Sequence, residues 1–250
     1  MCPRDSLLKK LYYSALDLLF PEEGICFICD KYDEDVKEDH ICSDCKDKLL
    51  FINENRCPTC GKPNCEGNAL DRCSYCANKT FYFTKAFSPL EFTGIIRKTI
   101  YKYKYESKPY IYKSFGELML RTLERENVKD DIDIIVPVPL HRSRKAERGY
   151  NQSELLAKYL SSKLDIPMDT RNLKRIKSTK VQNKLGRTER HLNVKDAFKV
   201  KDMSFFKSKK ILLVDDIFTT GATVNECSRV LMESGAREVL VITIATGRHT

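Results

Sequence analysis

The stretch Ile211-Leu212-Leu213-Val214-Asp215-Asp216-Ile217-Phe218-Thr219-Thr220-Gly221-Ala222-Thr223 carries an apolar run into two adjacent acids and then into a turn rich in threonine and glycine. The residues Ile211 to Val214 are continuous and β-branched at both ends, which suits a strand buried on both faces of a parallel sheet. After the turn, Val224, Cys227, Val230 and Leu231 recur at helical spacing, and Gly235 stands where a helix would stop. The unit reads strand, turn, helix. At the start of that helix, free N–H groups and the positive end of the dipole favour a phosphate, with Thr219, Thr220 and Thr223 as hydroxyl donors. Gly221 lets the backbone approach closely. Asp215 and Asp216, upstream at the strand's end, can accept hydrogen bonds from vicinal hydroxyls. The expected ligand therefore has a phosphate at one end and a diol in its middle, as ribose 5-phosphate does. A P-loop needs a Gly-Lys-Ser/Thr ending and a Rossmann turn needs three spaced glycines; the stretch has neither. A plainer alternative, in which Thr219 or Thr220 only caps the helix and the acids face water, does not require the whole arrangement.

The segment Val214 to Thr223, VDDIFTTGAT, resembles the phosphoribosyl pyrophosphate (PRPP) loop of the type I phosphoribosyltransferases. That resemblance implies an α/β fold with a central parallel sheet flanked by helices. It also implies that Asp215 and Asp216 hold the ribose hydroxyls, while Thr219, Thr220, Gly221, Ala222 and Thr223 cradle the 5′-phosphate.

Eight of the eleven cysteines form four Cys-x-x-Cys pairs: Cys26/Cys29, Cys42/Cys45, Cys57/Cys60 and Cys73/Cys76. Each cysteine of the first half recurs 31 residues later in the second, which marks an internal repeat. Two such pairs close a tetrahedral Zn²⁺ shell with no open position, so two structural zincs are expected in a small N-terminal zinc-ribbon domain with four-cysteine sites. The repeat favours one ion on Cys26, Cys29, Cys42 and Cys45 and another on Cys57, Cys60, Cys73 and Cys76. Cross-braced pairing has the same spacing. No secretory segment is recognisable, and a cytoplasmic, metal-binding reading is preferred to a disulfide framework. Cys65 breaks the repeat and reads as a spare thiol, Cys2 as no catalytic nucleophile, and Cys227 as core.

With 250 residues and 42% hydrophobic content, the chain can form one ordinary domain and a small metal-stapled one. The expected division is an N-terminal helix over residues 1–21, the double zinc ribbon over 22–80 and the phosphoribosyltransferase-like domain over 81–250. The early helix, Ser6 to Phe20, is interrupted by Lys9, Lys10 and Asp17 and is too short to span a bilayer. Its face of Leu7, Leu8, Leu11, Ala15, Leu18 and Leu19 is expected to dock on the protein itself, with no membrane insertion.

Three further segments bear on function. Between Phe92 and Tyr112, tyrosines 101, 103, 105, 110 and 112 interleave with lysines and an arginine. This could hold single-stranded nucleic acid, but a helix from Thr93 with Ile95, Ile96 and Ile100 turned inward is the preferred reading. Asp133 to His141 is a second buried strand ending in a proline-stiffened turn, followed by basic residues and by Gly149-Tyr150-Asn151-Gln152 opening a helix. By the phosphoribosyltransferase resemblance, Val138, Pro139, Leu140 and His141 are placed to meet the pyrophosphate. From Arg171 to Lys195 there are nine Lys/Arg and one acid, against a whole-chain net charge of +9. The charge is concentrated where a polyanion would sit. Lys180, Gln182, Leu185, Arg187, Arg190 and Asn193 resemble the flexible loop that closes over the leaving pyrophosphate.

Taken together, the repeated Cys-x-x-Cys pairs, PVPLH, RGYNQ, the Gln182 to Asn193 stretch and VDDIFTTGAT resemble the ComF family over nearly the whole chain. The resemblance implies a role in natural competence, handling incoming single-stranded DNA at the cytoplasmic side. It implies PRPP with Mg²⁺ as ligand, with Asp215, Asp216, Arg187, Arg190 and Lys180 as the catalytic set. It also implies a hood drawn from Thr84 to Tyr112 that selects the acceptor. A non-catalytic module that senses PRPP or binds DNA would use the same residues. An interaction-only reading makes the ribbons a docking platform for a competence helicase or channel protein.

Overall fold

The computed structural model describes residues 24–52, 54–63, 72–77, 79–106, 108–178 and 187–247. The N-terminal segment 1–21, Cys2, Cys65, Lys180, Gln182 and Leu185 lie outside the described residues.

A parallel sheet forms the centre, in the order β1 (Lys85–Phe87), β7 (Glu238–Thr246), β6 (Lys210–Phe218) and β3 (Ile134–Pro137), with β2 (Leu90–Glu91) following β1 along the same edge of β7. Met168 adds a parallel bridge to Ile135 on the far side of β3. The stretch Ile211 to Val214 is fully buried, as its unbroken apolar run requires. The strand runs further than that run, however. Asp215 pairs with Thr243 and Phe218 with Thr246, so both acids sit within β6. Pairing with the equally long β7, a non-local partner, carries the strand past its apolar part.

Alternation along the strands sorts the core into two layers. Leu212, Val214, Leu240 and Ile242 face α3 (Gly94–Tyr105), α4 (Tyr112–Arg125) and α6 (Gln152–Leu164). Ile211, Leu213, Val239 and Val241 face α8 (Ala222–Glu233) and the antiparallel pair β4 (Leu173–Arg175) and β5 (Phe198–Val200). The helix expected from Thr93 is α3, with Ile96, Ile100 and Tyr103 buried and Ile95 packed against them. Between β3 and α6 stands a short basic helix, α5 (Arg142–Arg148), closed by Gly149 at φ +78°.

The cysteine repeat is a repeat of backbone. In the first half, the short helix α1 (Ser43–Lys46) carries Cys45; in the second, α2 (Ser74–Ala77) carries Cys76. The bridge Ile25↔Tyr32 recurs as Arg56↔Pro63, and the Cys26 N–H to Lys31 carbonyl bond recurs as Cys57 to Lys62. Asp30 and Gly61, equivalent positions after the second cysteine, both take positive φ, +62° and +67°. The two ribbons then part company. The first joins the core layer of α3, α4 and α6, and the second joins that of α8, β4 and β5. The segment between them passes the sheet's edge. Phe51 bridges Leu90, and the Ala86 N–H donates to the Thr59 carbonyl at 2.8 Å. An edge of free backbone groups is thereby covered. Arg56 and Lys85 share the buried carboxylate of Glu126 at the end of α4, which fastens this edge to the helical layer.

Candidate functional site

The chain leaves β3 through α6 toward Met168, then returns to the other side of β3 to build β6, α8 and β7. The connections thus reverse direction between β3 and β6, and the carboxyl ends flanking such a reversal open a crevice. The two strand ends lie side by side, with Pro137 paired to Val214 and the Val138 N–H donating to the Val214 carbonyl at 2.9 Å.

On the β6 side, Asp215 and Asp216 are half-buried. Ser153 Oγ, from the first turn of α6, donates to Asp215 Oδ1 at 3.0 Å, and the Asp216 N–H donates to the same oxygen at 2.9 Å. Asp216 Oδ2 lies 2.7 Å from Lys104 Nζ, delivered by α3. Burial, and next the Asp216 carboxylate, push the Asp215 carboxyl up to about 7; Lys104 and the Ser153 hydroxyl pull the other way. The turn follows. Gly221 takes φ +72° at the N-cap of α8, and a Cβ there would lie 2.6 Å from the buried Phe218 ring. Glycine is thus required by conformation and by space. Thr220 is buried, its Oγ1 accepting the Ala222 N–H at 3.4 Å, so this hydroxyl serves the turn itself. Thr219 and Thr223 are half-buried on either side of it. The N-terminus of α8 follows β6 after the three-residue turn, at the carboxyl end of the strand, and carries the N–H groups that a first helical turn leaves without intrahelical partners.

On the β3 side, the Val138 carbonyl accepts from Asn151 Nδ2 at 3.1 Å, and Asn151 caps α6 through the Ser153 N–H. One motif therefore anchors the proline loop and aims Ser153 at Asp215. Pro139 and Leu140 are half-buried in the loop, and His141 caps α5 by accepting from Ser143. Arg187 and Arg190 fall on α7 (Arg187–Val194), which runs into the Asp196 turn held to α8 by Arg229 and Glu226.

Three contributors escaped the sequence reading. Ser153 follows the RGYNQ motif directly and was signalled by Asn151 as a helix cap. Lys104 was visible only as one of many lysines. Tyr75, in the second ribbon, donates from Oη to the Thr220 carbonyl at 2.6 Å, a contact across 145 residues that no local signal announces.

The cysteine clusters fit zinc. In each set, Cys26, Cys29, Cys42, Cys45 and Cys57, Cys60, Cys73, Cys76, the four Sγ atoms lie within 4.8 Å of one another, so pairing is sequential rather than cross-braced. Cys29 to Cys42 and Cys60 to Cys73 are 3.8 Å and 3.7 Å apart, against about 3.8 Å for a tetrahedron with Zn–S bonds of about 2.3 Å. These closed sites would hold structure and leave no position for a reactant.

Residues 15–79 match the double zinc ribbon domain family and residues 150–250 the phosphoribosyl transferase domain family. The chain is 28% identical to competence protein F of Haemophilus influenzae over 80% of its length and 94% of that protein. It is 29% identical to competence protein ComFC of Bacillus subtilis over 84% and 90%, and 28% identical to DNA utilization protein YhgH of Escherichia coli over 87% and 95%. Fold and cysteine sites thus define a type I phosphoribosyltransferase fold with an N-terminal double zinc ribbon. Within that class the chain is similar to competence protein F and competence protein ComFC over most of its length. Among the described residues, no helix is long and apolar enough to cross a membrane.

Proposed function

We propose that the chain binds a 5-phosphoribosyl ligand, PRPP with Mg²⁺, in the crevice between β3 and β6, and that it acts in natural competence, where single-stranded DNA enters. The observation that carries this reading is the convergence at one sheet reversal of a carboxylate pair, a glycine turn at a helix N-terminus and a proline loop. The 5′-phosphate takes the N–H groups of residues 219–223 and the hydroxyls of Thr219 and Thr223, and the diol takes Asp215 and Asp216. Pyrophosphate lies against the backbone of Val138, Pro139, Leu140 and His141. Mg²⁺ bound with the pyrophosphate against the Val138 to His141 loop would supply neutralisation of part of its charge.

In the transfer reaction the C1′–O bond breaks, pyrophosphate departs with the electron pair, and a nitrogen nucleophile forms the new C1′–N bond while losing a proton. Arg187, Arg190 and Lys180 are the residues that would balance charge growing on the leaving group. The anchored phosphate and diol fix the sugar for in-line attack. Titration with PRPP and Mg²⁺ is expected to release or absorb heat and raise the melting temperature. Absence of both at saturation removes this reading.

A second, non-catalytic reading is favoured by one surface. Tyr101 and Tyr105 are exposed on α3 with ring centroids 4.9 Å apart, and Arg148 lies over Tyr105 at 4.8 Å. Exposed aromatics beside cations suit single-stranded DNA. This reading predicts salt-dependent DNA affinity that weakens on Ala replacement of Lys102 with Lys104, or of Arg187 with Arg190.

A further inference from the structure

Lys104 comes from outside the two strand-turn-helix units, yet its ammonium reaches the carboxylate pair. Its neighbours leave it little freedom. Lys102 Nζ donates to the Ile28 carbonyl at 3.2 Å and to Asp30 at 3.0 Å, both in the first ribbon, and Lys108 meets the same carboxylate at 2.7 Å. Tyr103 is fully buried, and its Oη donates to the Gln152 carbonyl at 2.9 Å while Tyr150 donates to the Tyr103 carbonyl. The residues on either side of Lys104 are therefore pinned to the ribbon and to the start of α6, and its Nζ stands 2.7 Å from Asp216 Oδ2. The lysine side chain is only 17% exposed, so water screens the pair weakly.

Two adjacent carboxylates in a half-buried crevice favour protonating one of them. A diol that donates two hydrogen bonds is served best when both are ionised acceptors. We propose that Lys104 is a positioning residue of the diol site, favouring the ionised form of the Asp215–Asp216 pair and orienting it until a ligand's hydroxyls engage it. The proposal rests on the phosphoribosyl reading above for the identity of the ligand, but the effect on the carboxylates is a property of the free protein. Burial already raises the Asp215 carboxyl, so loss of a cation has a group near neutrality to act on. The other charged or titratable groups in electrostatic reach are Arg175 on β4, with Arg144 of α5 beside it, Cys227 and then Glu226 on α8, and Tyr103 on α3.

Replacing Lys104 by Met keeps the stem and removes the charge. Carboxyl ¹³C titrations of the free protein are expected to show the midpoint of the pair moving up by about one unit or more, since the ionised form loses a stabilising neighbour. Calorimetry with ribose 5-phosphate is expected to show a loss of about tenfold or more at pH 6.5, shrinking toward pH 8.5 as the carboxyls ionise unaided, with Lys104→Arg close to wild type across the range. Superimposable titrations in wild type and Lys104→Met overturn the proposal, as does tighter binding with an unchanged pH profile, which would make Lys104 a plug. If wild type binds no phosphoribosyl ligand while the titration still shifts, the ligand assignment falls and the diol role falls with it, but the hold of Lys104 on the carboxylates stands.

Discussion

The two zinc ribbons are copies in sequence and in backbone, yet they support opposite walls of the crevice. The first packs on the helical face of the sheet and holds α3 through Asp30, which collects Lys102 and Lys108; α3 in turn presents Lys104 to Asp216. The second packs on the other face and meets the Thr219–Thr223 turn directly, through Tyr75 to the Thr220 carbonyl, and the chain just after it adds Tyr82 to Asn225 and the Phe83 ring edge-on to Phe218. A duplicated module has thus been placed astride one sheet edge, and its copies differ in what they touch rather than in how they fold. The difference predicts that damage to one ribbon will be felt at the diol end of the ligand and damage to the other at the phosphate end.

The strongest attempt to break this comparison is to unmake one metal site at a time. Cys57→Ser with Cys60→Ser is expected to abolish binding of ribose 5-phosphate and of inorganic phosphate alike, because the turn loses its support. Cys26→Ser with Cys29→Ser is expected to leave weak phosphate binding and to erase the preference for ribose 5-phosphate over 2-deoxyribose 5-phosphate, which lacks one of the two hydroxyls. Both pairs of substitutions should lower the melting temperature sharply, since either cluster lies within a core layer and metal binding is coupled to folding. Identical binding losses in the two variants would show that the ribbons are a shared scaffold and nothing finer.

A smaller effect sharpens the phosphate side. Gly221→Ala forces a non-glycine residue to φ +72° and drives its Cβ against Phe218, whose ring is buried and cannot swing aside. The expected cost is about 1–3 kcal/mol in a denaturation midpoint, together with weaker phosphate binding and an unchanged zinc content. Preserved stability would mean the turn can relax.

The smallest pair sets one contact of each ribbon against the other. Tyr75→Phe removes one hydrogen bond, worth about 0.5–1.5 kcal/mol, and should weaken phosphate binding without altering diol preference. Asp30→Asn breaks a partly exposed cluster worth under about 1 kcal/mol, and should do the reverse. Burial works to raise the Asp30 carboxyl, but Lys108 and Lys102 outweigh it and hold the group below the usual carboxylate range. Its clasp on α3 is therefore complete at neutral pH and is lost only as pH falls through that depressed value, so the wild-type contribution should be flat from pH 8 to 5 and decline in stronger acid. Diol preference in Asp30→Asn equal to wild type would sever the first ribbon from the site.

What could be read from sequence was what is local. The unit from Ile211 to Glu233 declares itself because the apolar run, the glycine and the helical spacing are all within one short segment. The ribbons declare themselves because the repeat is written in cysteines. Neither signal says which face of the sheet a ribbon will occupy, since that depends on how the chain at Phe51 meets β2. The length of β6 was hidden for the same reason: Asp215 to Phe218 remain in the strand through pairing with β7, more than twenty residues away. Lys104 was marked only as a candidate DNA contact beside Lys102, with nothing to point it at Asp216. In a segment crowded with lysines and tyrosines, only tertiary packing distinguishes the one that faces Asp216 from those that face water.

The most direct test of the account is calorimetry of PRPP with Mg²⁺, and separately of single-stranded DNA, against wild type and the double substitution Asp215→Asn with Asp216→Asn. Wild type is predicted to bind PRPP, and the double variant to lose that binding while keeping its zinc content, its fold and any electrostatic affinity for DNA. PRPP binding that survives the loss of both carboxylates would contradict the placement of the diol, and with it the assignment of the crevice between β3 and β6 as a phosphoribosyl site.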